Sequence, residues 1–588
     1  MKSYIENVPP FVLGFLALSF QILLLREFSV HFYGNEISYG LILASWLLWG
    51  GIGSAVALKF KPSTIKIPWI YNAIILIFPL CLLVIRFSHM ILGISPVEIT
   101  GILPIFLFSF FISSFINFPL GLLFVFNIHY QKGNLTKVYI LESMGSAVSG
   151  LIVYFLLIPT FSNWQITAII GIFSSIVVFI CFRNKKNVFL LIISVVYLLC
   201  FCIFDFPTQK LYWKPFNLVY SQDSPYGRIQ IIKTKKQISL YNNSSIMYSY
   251  PNPEDSEEAV HFALLQNPQA DKVLLMGGGI SGGIKQILKY PEAEIDYVEL
   301  DPEIIRSSMK FLPDKETKDL SNNRVHAYFK DGRDFLQHAD KKYNIIILNL
   351  PEPTSTQINR FYTREFFKIA RKKLKKGGIF SFRVPSAENY ISKDLQNFLS
   401  SLYFTLKKEF PFIKVIPGST NIFIASSSPV NISYDYLTER MNYLDIKNKY
   451  IIPQLLSARL DPFRIELTNS KIVNGTKKIN TDLTPISYFF NSVLWSTQFK
   501  GLENKILSFF SKLPSFWILD FPLILFLIFL FLFLFKKRNS FYYLIPLAIL
   551  GFTSIIVEIF IIIIFQSYHG YLYEKIALLL TSFMSGLF

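Results

Sequence analysis

The sequence predicts a multi-pass α-helical membrane protein with an inserted α/β domain, itself a small antiparallel β subdomain plus a Rossmann-like sheet. Three observations lead there. The 588 residues are 52% hydrophobic, with 59 Phe and 31 Tyr, and the mean hydropathy is +0.41. Apolar runs of membrane-spanning length crowd both ends of the chain. Between them, residues 207–500 carry charge at ordinary density and alternate strand-like runs with glycine and acidic punctuation.

A bilayer core about 30 Å thick needs about 20 apolar residues in a helix. Runs of that length occur near 10–32, 38–58, 68–93, 101–127, 138–159, 164–182 and 187–205. They return near 515–535 and 541–566, and a last one runs from about 574 to Phe588. The predicted organisation is therefore an N-terminal transmembrane domain over 1–206 and a β subdomain over 207–250. A Rossmann-like domain follows over 251–500, and C-terminal spans occupy 501–588.

The net charge of +18 has a topological source. Basic residues gather at span ends: Lys59, Lys61 and Lys66; Arg183, Lys185 and Lys186; Lys536, Lys537 and Arg538. No basic stripe interleaved with aromatics is present, so nucleic acid is not an expected partner. The positive-inside rule puts these clusters in the cytoplasm, in a cell inner membrane. Seven preceding spans then put the soluble domain on the far side, unless a span is miscounted. All four cysteines, Cys81, Cys181, Cys200 and Cys202, lie in apolar segments, which excludes a disulfide scaffold and a cysteine zinc site.

The two ends of the chain are related. Residues 14–53 run from Gly14-Phe15 through Tyr33-Gly34 to Gly50, and 551–588 run from Gly551-Phe552 through His569-Gly570 to Gly586. One gap aligns the glycines and sets Gln21 opposite Glu558, the pattern of a duplicated transmembrane unit. On that reading the second copy stops in mid-span, as a truncated product would. Charges within spans are costly and mark function or a structural pair. Arg26, Glu27 and Glu558 qualify; Glu142, near a span end, reads as interfacial.

In the soluble region, Arg228–Ile232 and Ile238–Tyr241 alternate and lead into Asn242-Asn243-Ser244, the mark of antiparallel strands. From Val273 the order is buried strand, glycine turn Gly277–Gly283, helix, strand, and Glu299. Gly277, Gly279 and Gly282 satisfy G-x-G-x-x-G, which brings a ligand against the backbone at a helix N-terminus. An acid at the tip of the second strand can accept from both ribose hydroxyls. The strand Val325–Phe329 ends at Asp331-Gly332-Arg333-Asp334, where an acid can accept from an adenine amino group or cap a helix. Tyr343–Leu348 ends at Asn349-Leu350-Pro351-Glu352-Pro353. Ligands of doubly wound sheets bind beyond such strand ends, so a nucleoside co-substrate is expected and no metal.

Residues 220–390 resemble the spermidine synthase family, the polyamine aminopropyltransferases, and in particular its membrane-fused bacterial members. Ser224-Pro225-Tyr226-Gly227, His261, Gly277–Gly283, Glu299-Leu300-Asp301-Pro302, Asp331–Leu336 and Phe361–Phe367 carry the resemblance in order. Arg26-Glu27, Gly34-Asn35-Glu36 and Leu141–Gly145 extend it into the spans. The resemblance implies transfer of an aminopropyl group from decarboxylated S-adenosylmethionine to a small-molecule amine, releasing methylthioadenosine. It assigns Glu299 to the ribose, Asp331 to the adenine and His261 to the nucleoside or amine end. A lipid bilayer is the other expected partner, and a homo-oligomer is compatible with the reading.

The chain departs from the family where the acceptor binds. Ile280 stands where the glycine loop carries an acid, Phe262 follows His261 in place of Glu, and Asn349 opens a loop that begins with Asp in the family. An alkylamine titrates near 10 and must lose a proton to attack. Asn cannot accept that proton; Glu352 can. The expected catalytic pair is therefore Asn349, positioning the acceptor, and Glu352 as base. Alternatives are a methyltransferase-type enzyme using intact S-adenosylmethionine and a non-enzymatic polyamine transporter or sensor with Glu27, Glu142 and Glu558 along a cation path. An NAD-dependent dehydrogenase explains the glycines but neither Asp331 nor 349–353.

Overall fold

The computed structural model describes residues 2–32, 34, 36–60, 66–497, 524, 527, 541–570, 573 and 575–586. The expected span at 515–535, apart from residues 524 and 527, and the basic cluster at 536–538 lie outside the described residues, as do Tyr33, Asn35, Lys61 and Phe588.

Among the described residues, seven helices are long and apolar enough to cross a membrane. They are α1 (Lys2–His31), α2 (Glu36–Ala57), α3 (Ile67–Arg86), α4 (Ile102–Tyr130), α5 (Leu135–Ile152, extended by a π-helical turn to Leu157), α6 (Asn163–Cys181) and α7 (Lys185–Ile203). The run expected at 68–93 breaks at Phe87: α3 stops at Arg86, and a short helix, Ser88–Leu92, follows and is ended by left-handed Gly93. Helix α1 is the hub of the bundle, packing on α3, α5 and α6. Gly14 and Gly145 face the partner backbone in the α1–α5 contact, where a Cβ would meet Glu142 O or Phe11 O. Small residues of this kind let apolar helices approach closely.

Two sheets form the soluble part. β1 (Leu218–Asp223), β2 (Arg228–Lys233), β3 (Ile238–Asn242) and β4 (Ser245–Tyr250) make an antiparallel meander in order β1-β2-β3-β4. The first strand, mixed in polarity, was not anticipated from the sequence. The second sheet contains β5 (Lys272–Met276), β6 (Glu294–Glu299), β7 (Val325–Phe329), β8 (Tyr343–Leu348), β9 (Leu374–Pro385), β10 (Phe412–Ile416) and β11 (Thr420–Ser426). Its order is β10-β11-β9-β8-β5-β6-β7, with β9, β8, β5, β6 and β7 parallel and β11 antiparallel to both its neighbours. Helices cover both faces, so the central strands read as unbroken apolar runs; Val273, Leu274, Leu275 and Met276 are all buried. Ile280, the apolar substitute in the glycine loop, packs with Ile229, Ile231 and Leu240 and so ties the two sheets together.

Helices Phe541–His569 and Ile576–Gly586 return to the bundle, the latter against α5. Chain direction puts Ala57, Ile67 and the 181–185 connection at the end of the bundle remote from the soluble domain, with the start of α1. The 31–36, 86–102, 157–163 and 203–205 connections adjoin the domain. Lys59, Lys66, Arg183, Lys185 and Lys186 are thus at the far end.

Candidate active site

Strand register assembles the site. Met276 of β5 pairs with Val298 of β6 and with Leu348 of β8. The next residues, Gly277, Glu299 and Asn349, therefore emerge together at the carboxyl edge of the sheet, over the switch in strand order. Leu348 also pairs with Phe382 of β9, which sets Arg383 beside Asn349. Gly277, Gly278, Glu299, Asn349, Glu352, Arg383 and Asp255 line one cavity of about 320 Å³, roofed by the β4 residues Ile246–Ser249.

The glycine loop is built for close approach. Gly277 and Gly278 have φ of 74° and 65°, and a Cβ on Gly278 would meet the Asn349 amide. Gly279 lies against the Tyr297 ring and Gly282 against Ser256, so neither admits a side chain. Glu299 accepts from the Tyr297 hydroxyl at 3.0 Å and from the Leu300 amide at 2.9 Å. Burial nevertheless pushes its carboxyl up to about 7. Asp301 is architectural: it caps the helix Pro302–Phe311 through the Glu303 amide and accepts from the Ser224 hydroxyl at 2.6 Å. The Ser224–Gly227 turn is thereby fixed to the Rossmann-like sheet.

Asn349 Oδ1 accepts from Arg383 Nε at 3.2 Å, and Arg383 in turn pairs with Asp255 at 2.5 Å. Neither Arg383 nor Asp255 was singled out in the sequence; the β8–β9 register is what reveals the arginine. Glu352 sits in the loop after β8, and burial raises its carboxyl above the ordinary carboxylate range. Three groups hold that loop. Tyr362 donates to Leu350 O and Pro351 O at 3.2 and 2.8 Å, and Asn491 donates to Pro353 O at 3.2 Å. Glu36, the first residue of α2, accepts from the Thr356 amide at 3.0 Å. Glu36 of the helical bundle thus reaches the loop directly.

Two expected ligand residues lie outside the lining of this cavity. His261, on α8 (Pro253–Leu264), is fully buried, with Nδ1 2.9 Å from the Tyr290 hydroxyl and Nε2 3.1 Å from Gln286 Oε1. Burial pushes it down to about 4, so the ring is neutral. It stands behind the cavity and touches the glycine loop only through Gln286 and Ser256, the residue packed on Gly282. Asp331 caps the helix Gly332–His338 through the Arg333 and Asp334 amides, and its other oxygen pairs with Arg360. Neither residue is among those lining the cavity. Phe262, in place of an acid, is in the core.

The charges within the apolar helices divide. Glu27 is buried and accepts from Arg86, Asn163 and both terminal nitrogens of Arg228. Arg26 is bonded not to Glu27 but to Asn163 and stacks on Tyr573. The Arg26-Glu27 segment is therefore a junction between bundle and β subdomain. Glu142 and Glu558 instead line a separate cavity of about 280 Å³ within the bundle, together with Gln21. Glu27 is not among its lining residues.

The geometry is that of a Rossmann-like sheet and an antiparallel β subdomain mounted on a helical bundle. Residues 254–434 match the spermine/spermidine synthase domain. The chain is similar to polyamine aminopropyltransferase 2 of Aquifex aeolicus, at 25% identity over 446 residues, covering 72% of this chain and 87% of the relative. The aligned length exceeds the whole soluble region. A polyamine aminopropyltransferase of Oceanobacillus iheyensis is 25% identical over 373 residues, 59% of this chain and 71% of the relative. Spermidine synthase from Thermotoga maritima superposes with a TM-score of 0.37 at 20% identity, covering 43% of this chain and 87% of that one.

Proposed function

We propose that the protein is a membrane-bound aminopropyltransferase that moves the aminopropyl group of decarboxylated S-adenosylmethionine to an amine. The observation that carries the reading is the meeting of Gly277, Gly278, Glu299, Asn349 and Glu352 around one cavity. The nucleoside lies along the glycine loop, and the Glu299 carboxylate accepts from its ribose hydroxyls. Asp331 and His261 support the nucleoside site indirectly, by fixing the helix after β7 and the glycine loop. Asn349, held by Arg383, orients the acceptor, and Glu352 takes its proton. The deprotonated nitrogen attacks the carbon bound to sulfur; the C–N bond forms as the C–S bond breaks, and sulfur leaves as neutral methylthioadenosine. The seven apolar helices anchor the enzyme in the cell inner membrane.

A second reading, methyltransferase-type chemistry on intact S-adenosylmethionine, is favoured by one feature. Arg383 beside Asn349 puts a cation where an amine-binding site gains from carboxylates, and a guanidinium suits the carboxylate that only the intact co-substrate carries. Calorimetry on the full-length protein in detergent distinguishes the two. Tighter binding of decarboxylated S-adenosylmethionine and methylthioadenosine supports aminopropyl transfer; tighter binding of the intact form supports the second reading. Binding of NAD alone would sink both.

A further inference from the structure

Beside the nucleoside cavity lies a second, larger chamber of about 460 Å³, of which the reaction above uses only Glu352. Its walls come from both halves of the molecule. Phe32 at the end of α1 and Ile105 at the start of α4 supply the bundle side, and Ile246 and Trp495 the soluble side. The chamber meets the nucleoside cavity at Ile246, Pro351 and Glu352, which line both. Glu352 is its one carboxylate among the described lining residues. Hydroxyl and amide side chains also line it, among them Thr100, Ser244, Thr354 and Asn491; Thr100 and Ser244 are each 2% exposed, and neither hydroxyl has a hydrogen-bond partner among the described residues.

Buried hydroxyls without partners are costly and are normally satisfied. Phe32, Val97, Ile99, Ile105, Ile246 and Trp495 give the wall a large apolar share, and with a carboxylate at its inner end the chamber suits a ligand that carries an amine on an apolar body. A di- or polyamine would need a second carboxylate to receive its far ammonium, and none is among the described lining residues. We infer that the acceptor is a primary amine carrying a hydrocarbon chain, which lies in this chamber with its nitrogen at Glu352 and enters from the side of the membrane helices. The inference rests on the aminopropyl-transfer reading and names its acceptor class. The balance is unchanged: the amine nitrogen gains the aminopropyl carbon, loses a proton to Glu352, and sulfur keeps the electron pair of the broken C–S bond.

The test uses full-length protein in detergent with decarboxylated S-adenosylmethionine, following methylthioadenosine release and the mass of the product. Putrescine is compared with primary alkylamines from butylamine to decylamine. The expected result is a KM that falls by on the order of threefold per added methylene, with the long amines preferred to putrescine. Ile105→Trp, which fills the chamber, should flatten that dependence while methylthioadenosine binding by calorimetry stays as in the parent. Vesicles containing an aminophospholipid distinguish the source: an aminopropylated lipid assigns the amine to the bilayer, and modification of free alkylamine alone assigns it to soluble amphiphiles. A KM independent of chain length, a preference for putrescine, or methylthioadenosine binding without turnover of any amine would overturn the inference and leave the nucleoside site standing. Loss of methylthioadenosine binding in the parent protein would overturn the underlying reading as well.

Discussion

Arg228, the first residue of β2, places both terminal guanidinium nitrogens on the carboxylate of Glu27 in α1, at 3.2 and 3.0 Å, 201 residues away in sequence. Asp223 shares the same guanidinium at 2.6 Å, and Arg86 binds Glu27 from α3. The β subdomain is thus locked to the bundle by buried, mutually compensating charges.

Removing one partner of a buried pair leaves its counter-charge unpaired, at a cost of about 3–5 kcal/mol. Glu27→Ala should therefore lower the thermal midpoint of the detergent-solubilised protein sharply. Combining it with Arg228→Met should recover part of the loss. A single variant as stable as the parent would show that the junction carries no weight.

Glu352→Gln should lower the turnover number by about 10²- to 10⁴-fold, the usual contribution of a positioned base. Methylthioadenosine affinity, measured by calorimetry, should be unaffected. Undiminished methylthioadenosine release would remove Glu352 from the proton path.

The Glu299 carboxyl, raised by burial from 4.5 to about 7, binds a proton in the folded protein that it loses in the unfolded one across that interval. Its contribution to stability is therefore full below about 4.5 and is lost as the pH rises through about 7. Ligand binding runs the opposite way, because a ribose hydroxyl donates to the ionised form. Methylthioadenosine should bind roughly tenfold more tightly per pH unit up to about 7 and level off above it. Glu299→Gln should abolish that slope; a slope that persists in the variant belongs to another group.

Gly278→Ala combines a left-handed backbone, costing about 1–2 kcal/mol for a residue with a Cβ, with a collision against the Asn349 amide. Nucleoside affinity should fall at least about tenfold, which corresponds to 1.4 kcal/mol. Unchanged affinity would mean that the loop is not the cradle.

The far-end position of Lys185 and Lys186 predicts opposite accessibility for the two poles of the molecule. With a membrane-impermeant thiol reagent on intact cells, Asp314→Cys should label and Lys185→Cys should not, as the positive-inside rule orients them. Labelling of both from one side would contradict the seven-span path.

What the sequence disclosed was local. The Val273–Met276 strand, its glycine turn and Glu299 announce themselves because punctuation and periodicity lie within thirty residues or so of one another. Arg383 stayed hidden because only the β8–β9 register brings it to Asn349, and register is a long-range property. Asp331 and His261 occupy familiar motif positions, yet Arg360 claims the one and Tyr290 with Gln286 the other, and sequence does not display burial or third partners. Arg26 and Glu27 look like a pair because they are adjacent; adjacent helix residues do not face each other, and each found its partner on a different helix or strand.

The contact between the two cavities at Ile246, Pro351 and Glu352 has a kinetic meaning. On the proposed reading each reactant has its own doorway, and Glu352 stands on the common threshold. Neither need wait for the other to enter or depart, so the enzyme should show no compulsory order of addition. Methylthioadenosine should compete with the nucleoside donor and leave the apparent affinity for the amine untouched.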